Sequence, residues 1–216
     1  MMARIAVLGL ALVGMACAHM KAPSLGELRC PHGTAETIEA HGENEALHRC
    51  EDARGLSQGT ACVTAGSQVR AIRRYKDGAL HGTARVWYAS GAIQAEATYM
   101  RGVVRRFRTW HERGPQAEDW RYSGAEAAEV SKWDGQGNLV DQLQYRRGEV
   151  DGLWTKYWPD GTTRRRATWR AGRLEGEFIE WYEDGTPRAR GEYASNVKVG
   201  VWRFWDRAGI MSVREY

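Results

Sequence analysis

The chain has 216 residues, 43% of them hydrophobic, and 31 Lys and Arg against 27 Asp and Glu give a formal net charge of +4; the length suits one domain or one repeat array. With 25 Gly, and with 10 Trp and 9 Tyr beside 3 Phe, the composition favours many short strands joined by tight turns and argues against a helix bundle and against disorder. The mixed-sign charge lacks the concentrated basic stripe of a dedicated nucleic-acid binder.

Arg4 is the single charge ahead of the apolar stretch Ile5 to Val13, which leads into Gly14-Met15-Ala16 and then Cys17. These are the three parts of a bacterial export signal. From Ile5 to Ala16 there are 12 residues, short of the ~20 that a bilayer-spanning helix needs, so residues 1–16 are expected to be a signal peptide. The segment Val13-Gly14-Met15-Ala16-Cys17 resembles a lipoprotein signal, which implies cleavage before Cys17 and lipidation of that cysteine. Ordinary secretory cleavage, giving a secreted soluble protein, is the alternative. Ala18 follows the cysteine where an acidic residue would signal retention. By the same resemblance this implies an outer-membrane lipoprotein, facing the periplasm or the surface. Residues 17–32 then form a lipid-anchor tether and the start of a Cys-containing N-terminal segment, and the anchor makes the membrane a partner.

Setting Cys17 aside leaves Cys30, Cys50 and Cys62, which in an oxidising compartment allow one disulfide and one spare thiol. Cys30 with Cys50 is favoured because both lie in the least regular part of the chain, where a cross-link helps most; Cys50 with Cys62 is the alternative. Cys30-Pro31-His32 and His48-Arg49-Cys50, with His41 between them, bring metal-ligating residue types close together. One intervening residue departs from the two-to-four spacing of structural zinc, so no metal is expected.

From residue 33 to 216 the chain reads as a repeat array. Aromatic residues recur at Tyr75, Tyr99, Tyr122, Tyr145, Trp169, Tyr193 and Tyr216, at separations of 24, 23, 23, 24, 24 and 23. A second series, Trp87, Trp110, Trp133, Tyr157, Trp181 and Trp205, keeps step with the first, each residue standing four before a glycine. Cys62 with Gly66 and Ile38 with Gly42 hold the same register upstream, so about eight units are expected. Residues 33–74 are divergent, 75–104 regular, 105–144 degenerate and 145–216 regular. In the degenerate part Arg106 stands where Gly82, Gly152, Gly176 and Gly200 stand elsewhere.

Each unit is predicted to be a β-hairpin followed by a second turn, giving an all-β, single-layer, twisted antiparallel meander. Asp160-Gly161, Asp184-Gly185 and Asp77-Gly78 supply the turn chemistry of tight hairpins, which explains these aspartates without catalysis. Strand alternation puts Trp154, Lys156 and Trp158 on one face, with Phe178, Glu180, Tyr182, Trp202 and Phe204, and Tyr157, Trp181 and Trp205 on the other. The row at Trp87, Trp110, Trp133, Tyr157, Trp181 and Trp205 is expected to stack unit upon unit, and an aromatic binding groove there is the functional alternative. Arg105, Arg106 and Arg108 join that row as the candidate binding surface.

The run Tyr145-Arg146-Arg147-Gly148-Glu149-Val150-Asp151-Gly152-Leu153-Trp154 resembles the bacterial variant of MORN repeats, and the chain is similar to the family commonly labelled YwqK-type antitoxins. The resemblance covers roughly residues 33–216 and is strongest in the last three units. It implies a non-catalytic β-hairpin array that binds other proteins, some members serving as antitoxin or immunity proteins. Cys30-Pro31-His32-Gly33-Thr34 followed by Cys50 also resembles exported repeat lipoproteins of the same kind, which implies the Cys30 to Cys50 pairing.

The sequence carries no Gly-x-Ser-x-Gly elbow, phosphate loop, His-Glu-x-x-His or dinucleotide fingerprint, so neither catalysis nor a cofactor is expected. The expected function is protein binding at the cell envelope, as an antitoxin or immunity-type protein in one form. The alternative is electrostatic binding of an anionic envelope polymer or lipid headgroups through Arg73-Arg74, Arg105-Arg106-Phe107-Arg108, Arg146-Arg147 and Arg164-Arg165-Arg166.

Overall fold

The computed structural model describes residues 29–40 and 45–216; the signal segment, Cys17, His41 and Gly42 lie outside the described residues. All regular elements among the described residues are β-strands, and they fall into two compact units, divided between Val104 and Arg105. The first contains β1 (Ala35–Ala40), β2 (Glu45–Glu51), β3 (Ser57–Ala65), β4 (Gln68–Lys76), the short β5 (Ala79–Leu80), β6 (Gly82–Trp87) and β7 (Ile93–Met100). The second contains most of β8 (Val103–Trp110), then β9 (Gln116–Tyr122), β10 (Ala127–Trp133), β11 (Leu139–Arg146), the short β12 (Glu149–Val150), β13 (Gly152–Tyr157), β14 (Thr163–Arg170), β15 (Arg173–Trp181), β16 (Pro187–Ala194), β17 (Val197–Trp205) and β18 (Met211–Glu215). Within each unit neighbouring strands pair antiparallel in chain order, as a meander.

Two kinds of turn alternate along the array. The first is a three-residue loop: Trp158 N–H donates to Thr162 O at 2.8 Å and Gly161 N–H to Trp158 O at 2.9 Å, with Gly161 at φ 86°. The same bonds close the loops at Tyr88, Tyr182 and Asp206. Here only the glycine takes positive φ, and Asp160 instead accepts from Thr162 N–H and Oγ1 at 2.9 and 2.7 Å, as Asp184 does from Thr186. These bonds hold the Asp160 and Asp184 carboxyls below the ordinary carboxylate range.

The second kind joins consecutive repeats and has two successive residues at positive φ, at Asp77-Gly78, Arg101-Gly102, Arg147-Gly148, Ala171-Gly172 and Ser195-Asn196. That conformation matches the twist of a two-residue hairpin, but it strains the non-glycine residue that comes first. Side chains of the preceding repeat offset the strain: Asp77, Ala171 and Ser195 N–H donate to Gln58 Oε1, Asp151 Oδ2 and Glu175 Oε2 at 3.0, 3.2 and 2.8 Å.

Six hairpins, from β3–β4 to β15–β16, also carry a register shift at one fixed place, and the β17–β18 hairpin pairs without one. Pairing slips between Thr64 and its predecessor, and likewise at Trp87, Trp110, Trp133, Tyr157 and Trp181. The extra residue on the return strand is Arg70, Gln94, Ala117, Val140, Arg164 or Arg188, so the repeat period is also a period of β-bulges.

The packed core of the second unit lies on the Trp154 face. Ala167, Phe178, Ala189 and Trp202 are its buried members, with Trp154, Trp169, Leu174, Tyr193 and Phe204 packed against them. Trp202 is 1% exposed, and a Cβ on Gly191 would fall on its ring. Glycine is needed there for the close approach of an indole rather than for a turn. In the first unit the core gathers Cys50, Ala61, Cys62, Val69, Ile72, Trp87 and Ile93. Cys30 and Cys50 are joined as a disulfide, and Cys62 is a buried cysteine outside it.

The expected unit-to-unit burial of the Trp87 row is therefore confined to Trp87, which is 1% exposed, while Trp110, Trp133, Tyr157, Trp181 and Trp205 are half-buried. The deeply packed aromatics of the second unit belong to the opposite face. Five of the six row residues stand at the bulge, where pairing is looser and the strand bends.

Candidate functional site

Two rows run side by side across the packed face of the second unit. In the apolar row Phe107 is opposite Trp120, Trp120 opposite Val130 and Val130 opposite Leu143; further along, Trp154 is opposite Ala167, Ala167 opposite Phe178 and Phe178 opposite Gly191. Trp202 covers that last glycine. Large and small residues alternate over the last strands, so a wide ring lies over the short side chain of the next strand, the complementarity that cross-strand packing rewards.

The neighbouring row is charged. Lys132 stands between Glu118 and Asp141, Asp141 opposite Lys156, Lys156 opposite Arg165 and Arg165 opposite Glu180. The contacts follow the pairing: Lys132 Nζ to Glu118 Oε1 at 3.1 Å, Lys156 Nζ to Asp141 Oδ2 at 4.0 Å and Arg165 Nη2 to Glu180 Oε1 at 2.8 Å. The indole N–H groups of Trp120 and Trp154 donate to Glu118 and Asp141 at 2.8 Å each. Burial pushes the Glu118 carboxyl up, but the Trp120 and Lys132 hydrogen bonds and the Lys132 charge outweigh it, and the net shift is downward.

The two rows converge on β15 to β18. Trp202 has its ring centroid 5.1 Å from Tyr193, 5.5 Å from Phe178, 5.8 Å from Phe204 and 6.1 Å from Tyr216. Over these rings stand cations: Lys198 Nζ is 4.3 Å from the Trp202 centroid, 5.1 Å from Phe204 and 5.2 Å from Tyr216, while Arg165 lies 5.3 Å from Phe178 and Arg214 5.6 Å from Phe204. Glu180, 9% exposed, is the carboxylate in the groove lined by Arg165, Phe178, Tyr193, Lys198, Trp202 and Phe204, and Arg188 approaches it at 3.7 Å. Burial raises the Tyr193 phenol above its usual range. A groove of this kind offers flat apolar contact and directed positive charge.

The residues expected to form the binding surface are distributed differently. Trp87 is closed to solvent. Tyr157 donates its hydroxyl to Gln142 at 2.5 Å, Trp181 lines an open groove with Leu153 and Arg166, and Trp205 accepts a bond from the Tyr182 hydroxyl at 2.9 Å and borders the cationic groove. Trp110 and Trp133 are half-buried, with Arg108 5.5 Å over the Trp110 ring. Arg105 is exposed. Arg106 is committed to Asp119, which it holds through two bonds of 2.8 Å, with Arg121 at 3.2 Å on the same carboxylate. Asp119 is 3% exposed; burial pushes its pKa up, and the two guanidiniums bring it below the usual value. Arg106 stands in the place of the repeat glycine in β8, which runs unbroken there as β15 and β17 do through Gly176 and Gly200, and its side chain forms this clamp.

Sequence reasoning missed Lys198 and Arg214. The signal was present, since both lie on the last two strands, where the aromatic density is greatest. It was hidden because neither belongs to an arginine cluster or to the periodic series.

Repeats of the MORN variant kind are generally non-catalytic modules that bind proteins or membranes. No curated protein matches the chain. The MORN repeat variant family matches residues 80–100 and 174–194, and each match spans one structural unit, from just after one positive-φ repeat junction to just before the next.

Proposed function

We propose that the chain is an exported, lipid-anchored repeat protein that recognises another protein at the cell envelope, with immunity against a delivered toxin as one concrete form. The export signal and Cys17 provide the address, and the Cys30–Cys50 disulfide suits an oxidising compartment.

The observation that carries protein recognition over polyanion binding is the fate of the arginine clusters. In the run from Arg164 to Arg166, Arg164 lies 4.5 Å over the Trp158 ring, Arg165 pairs with Glu180 at 2.8 Å and Arg166 approaches Glu177 at 3.7 Å. Arg106 is bound to Asp119, and Arg147 pairs with Glu126 at 2.9 Å. Clusters that look basic in sequence are thus largely neutralised or split between faces. What remains is a mosaic of matched charges around aromatic anchors, which is the composition of protein interfaces.

The test is purification of the tagged full-length protein from detergent-solubilised native envelopes at low and at moderate salt, with bound proteins identified by mass spectrometry. One stoichiometric protein that survives moderate salt is the expected result. Salt-labile polymer or lipid as the only bound material would overturn the proposal.

A further inference from the structure

We infer that the groove formed by β15 to β18 is an acceptor site for a partner segment that carries carboxylate side chains. This inference rests on the protein-recognition reading and names the chemistry of the site. Lys198 is its centre. Its ammonium stands above the rings of Trp202, Phe204 and Tyr216 at 4.3 to 5.2 Å. Aromatic faces attract the charge, but an ammonium has three N–H donors, and ring faces take them up poorly. Among the described residues no carboxylate lies within ion-pair distance of Lys198 or Arg214. Glu180, the carboxylate lining the groove, is already held by Arg165 at 2.8 Å.

The site therefore has positive charge in surplus, pre-positioned by aromatic contacts. An incoming carboxylate completes the coordination of Lys198 with a charge-assisted bond, while the rings bury the apolar parts of the same segment. Discrete cations separated by rings fit single acidic side chains in a partly apolar segment. They fit a dense polyanion less well, because the rings between them interrupt the run of positive charge. Acidic peptide, rather than phosphate polymer or lipid headgroup, is the occupant these contacts favour.

The test uses the full chain to select from a randomised twelve-residue peptide library displayed on phage, with Lys198→Glu, Lys198→Met and Arg214→Glu variants in parallel. Lys198→Met keeps an apolar stem on the rings, and Arg214 lies on an exposed strand, so at least one variant tests the charge in a folded protein. Folding of each is checked by circular dichroism. The wild type is expected to enrich Asp- and Glu-containing peptides. The strongest such peptide should bind Lys198→Met and Arg214→Glu about tenfold more weakly, and Lys198→Glu should abolish the acidic enrichment.

Enrichment of purely apolar peptides, no enrichment, or acidic peptides that bind the Lys198 variants unchanged would each overturn the inference. So would Lys198-dependent binding to phosphatidylglycerol-containing vesicles without acidic peptide selection, which would assign the groove to headgroups. Retention of the envelope partner by all three variants would overturn this assignment and leave protein recognition intact, whereas absence of any envelope partner would count against the broader reading.

Discussion

Replacing Gly191 with alanine is the sharpest test of the packing. A methyl built on Gly191 lies 2.6 Å from Trp202 Cγ and nearer still to Cδ2 and Cε2, whereas carbon atoms pack at about 3.5–4.0 Å. The ring must therefore move by roughly 1 Å or the strands must part. Trp202 is 1% exposed and bounded by Phe178, Tyr193 and Phe204, so the displacement propagates through the core. The cost is expected at the upper end of overpacking, about 3 kcal/mol, and for a unit of about this size it corresponds to a fall of about 10 °C in Tm. Thermal unfolding followed by circular dichroism measures it. The partner variant Trp202→Leu removes the obstacle and is itself costly, but Gly191→Ala added in that background should cost less than about 1 kcal/mol, a coupling of about 2 kcal/mol. A stability loss under about 1 kcal/mol for Gly191→Ala alone, or one undiminished by Trp202→Leu, would refute the close-packing account.

Other consequences follow from the turns, the cross-link and the clamp. Reduction of the Cys30–Cys50 disulfide, which closes a separation of 20 residues, should cost about 3 kcal/mol on loop entropy, read as a lower denaturant midpoint for Cys30→Ser. Asp151→Ala removes the acceptor for Ala171 N–H and should cost about 1 kcal/mol; Asp151→Asn should retain most of the stability. Hydrogen bonds from Asn138, Thr162 and Thr186 hold the carboxyls of Asp134, Asp160 and Asp184 below the ordinary carboxylate range. Depressed carboxyl pKa values contribute stability that is present above the unfolded value and lost as pH falls through the folded one. Stability should therefore stay level on this account down to about pH 4 and decline below it, and an Asp160→Asn, Asp184→Asn double variant should flatten that decline in pH-dependent denaturant titrations. Arg106→Ala leaves buried Asp119 with Arg121 alone, and should cost about 1–2 kcal/mol in chemical denaturation.

The fold was legible because its period is written in two independent residue series. Tyr145, Trp169 and Tyr193 mark one end of each unit, and the turn glycines mark the other, so length, strand count and pairing order followed from spacing alone. Strand alternation also placed Trp154, Phe178 and Trp202 together. What alternation does not contain is the bulge before Tyr157 and Trp181: an extra residue on the return strand has no signature of its own in the sequence. The arginine clusters misled for a related reason. Consecutive residues of a strand point to opposite faces, so Arg165 and Arg166 never form one patch. Asp151 and Glu175, which cap the next repeat junction, stand immediately before a repeat glycine, a recurrent pairing that could have identified them. Lys198 carries no periodic mark, and its importance emerges only when β15 to β18 bring its ammonium over three rings.

The central claim is that the array recognises a protein through its aromatic and cationic face. The most direct measurement is site-specific photocrosslinking in the native cell, with benzoylphenylalanine introduced separately at exposed Ser212, which pairs with Phe204, and at Arg166, on the opposite face. The account predicts one discrete crosslinked protein from position 212, absent when Lys198→Glu is combined with the probe, and none from position 166. The same adduct from both faces, or an adduct at 166 alone, would contradict it.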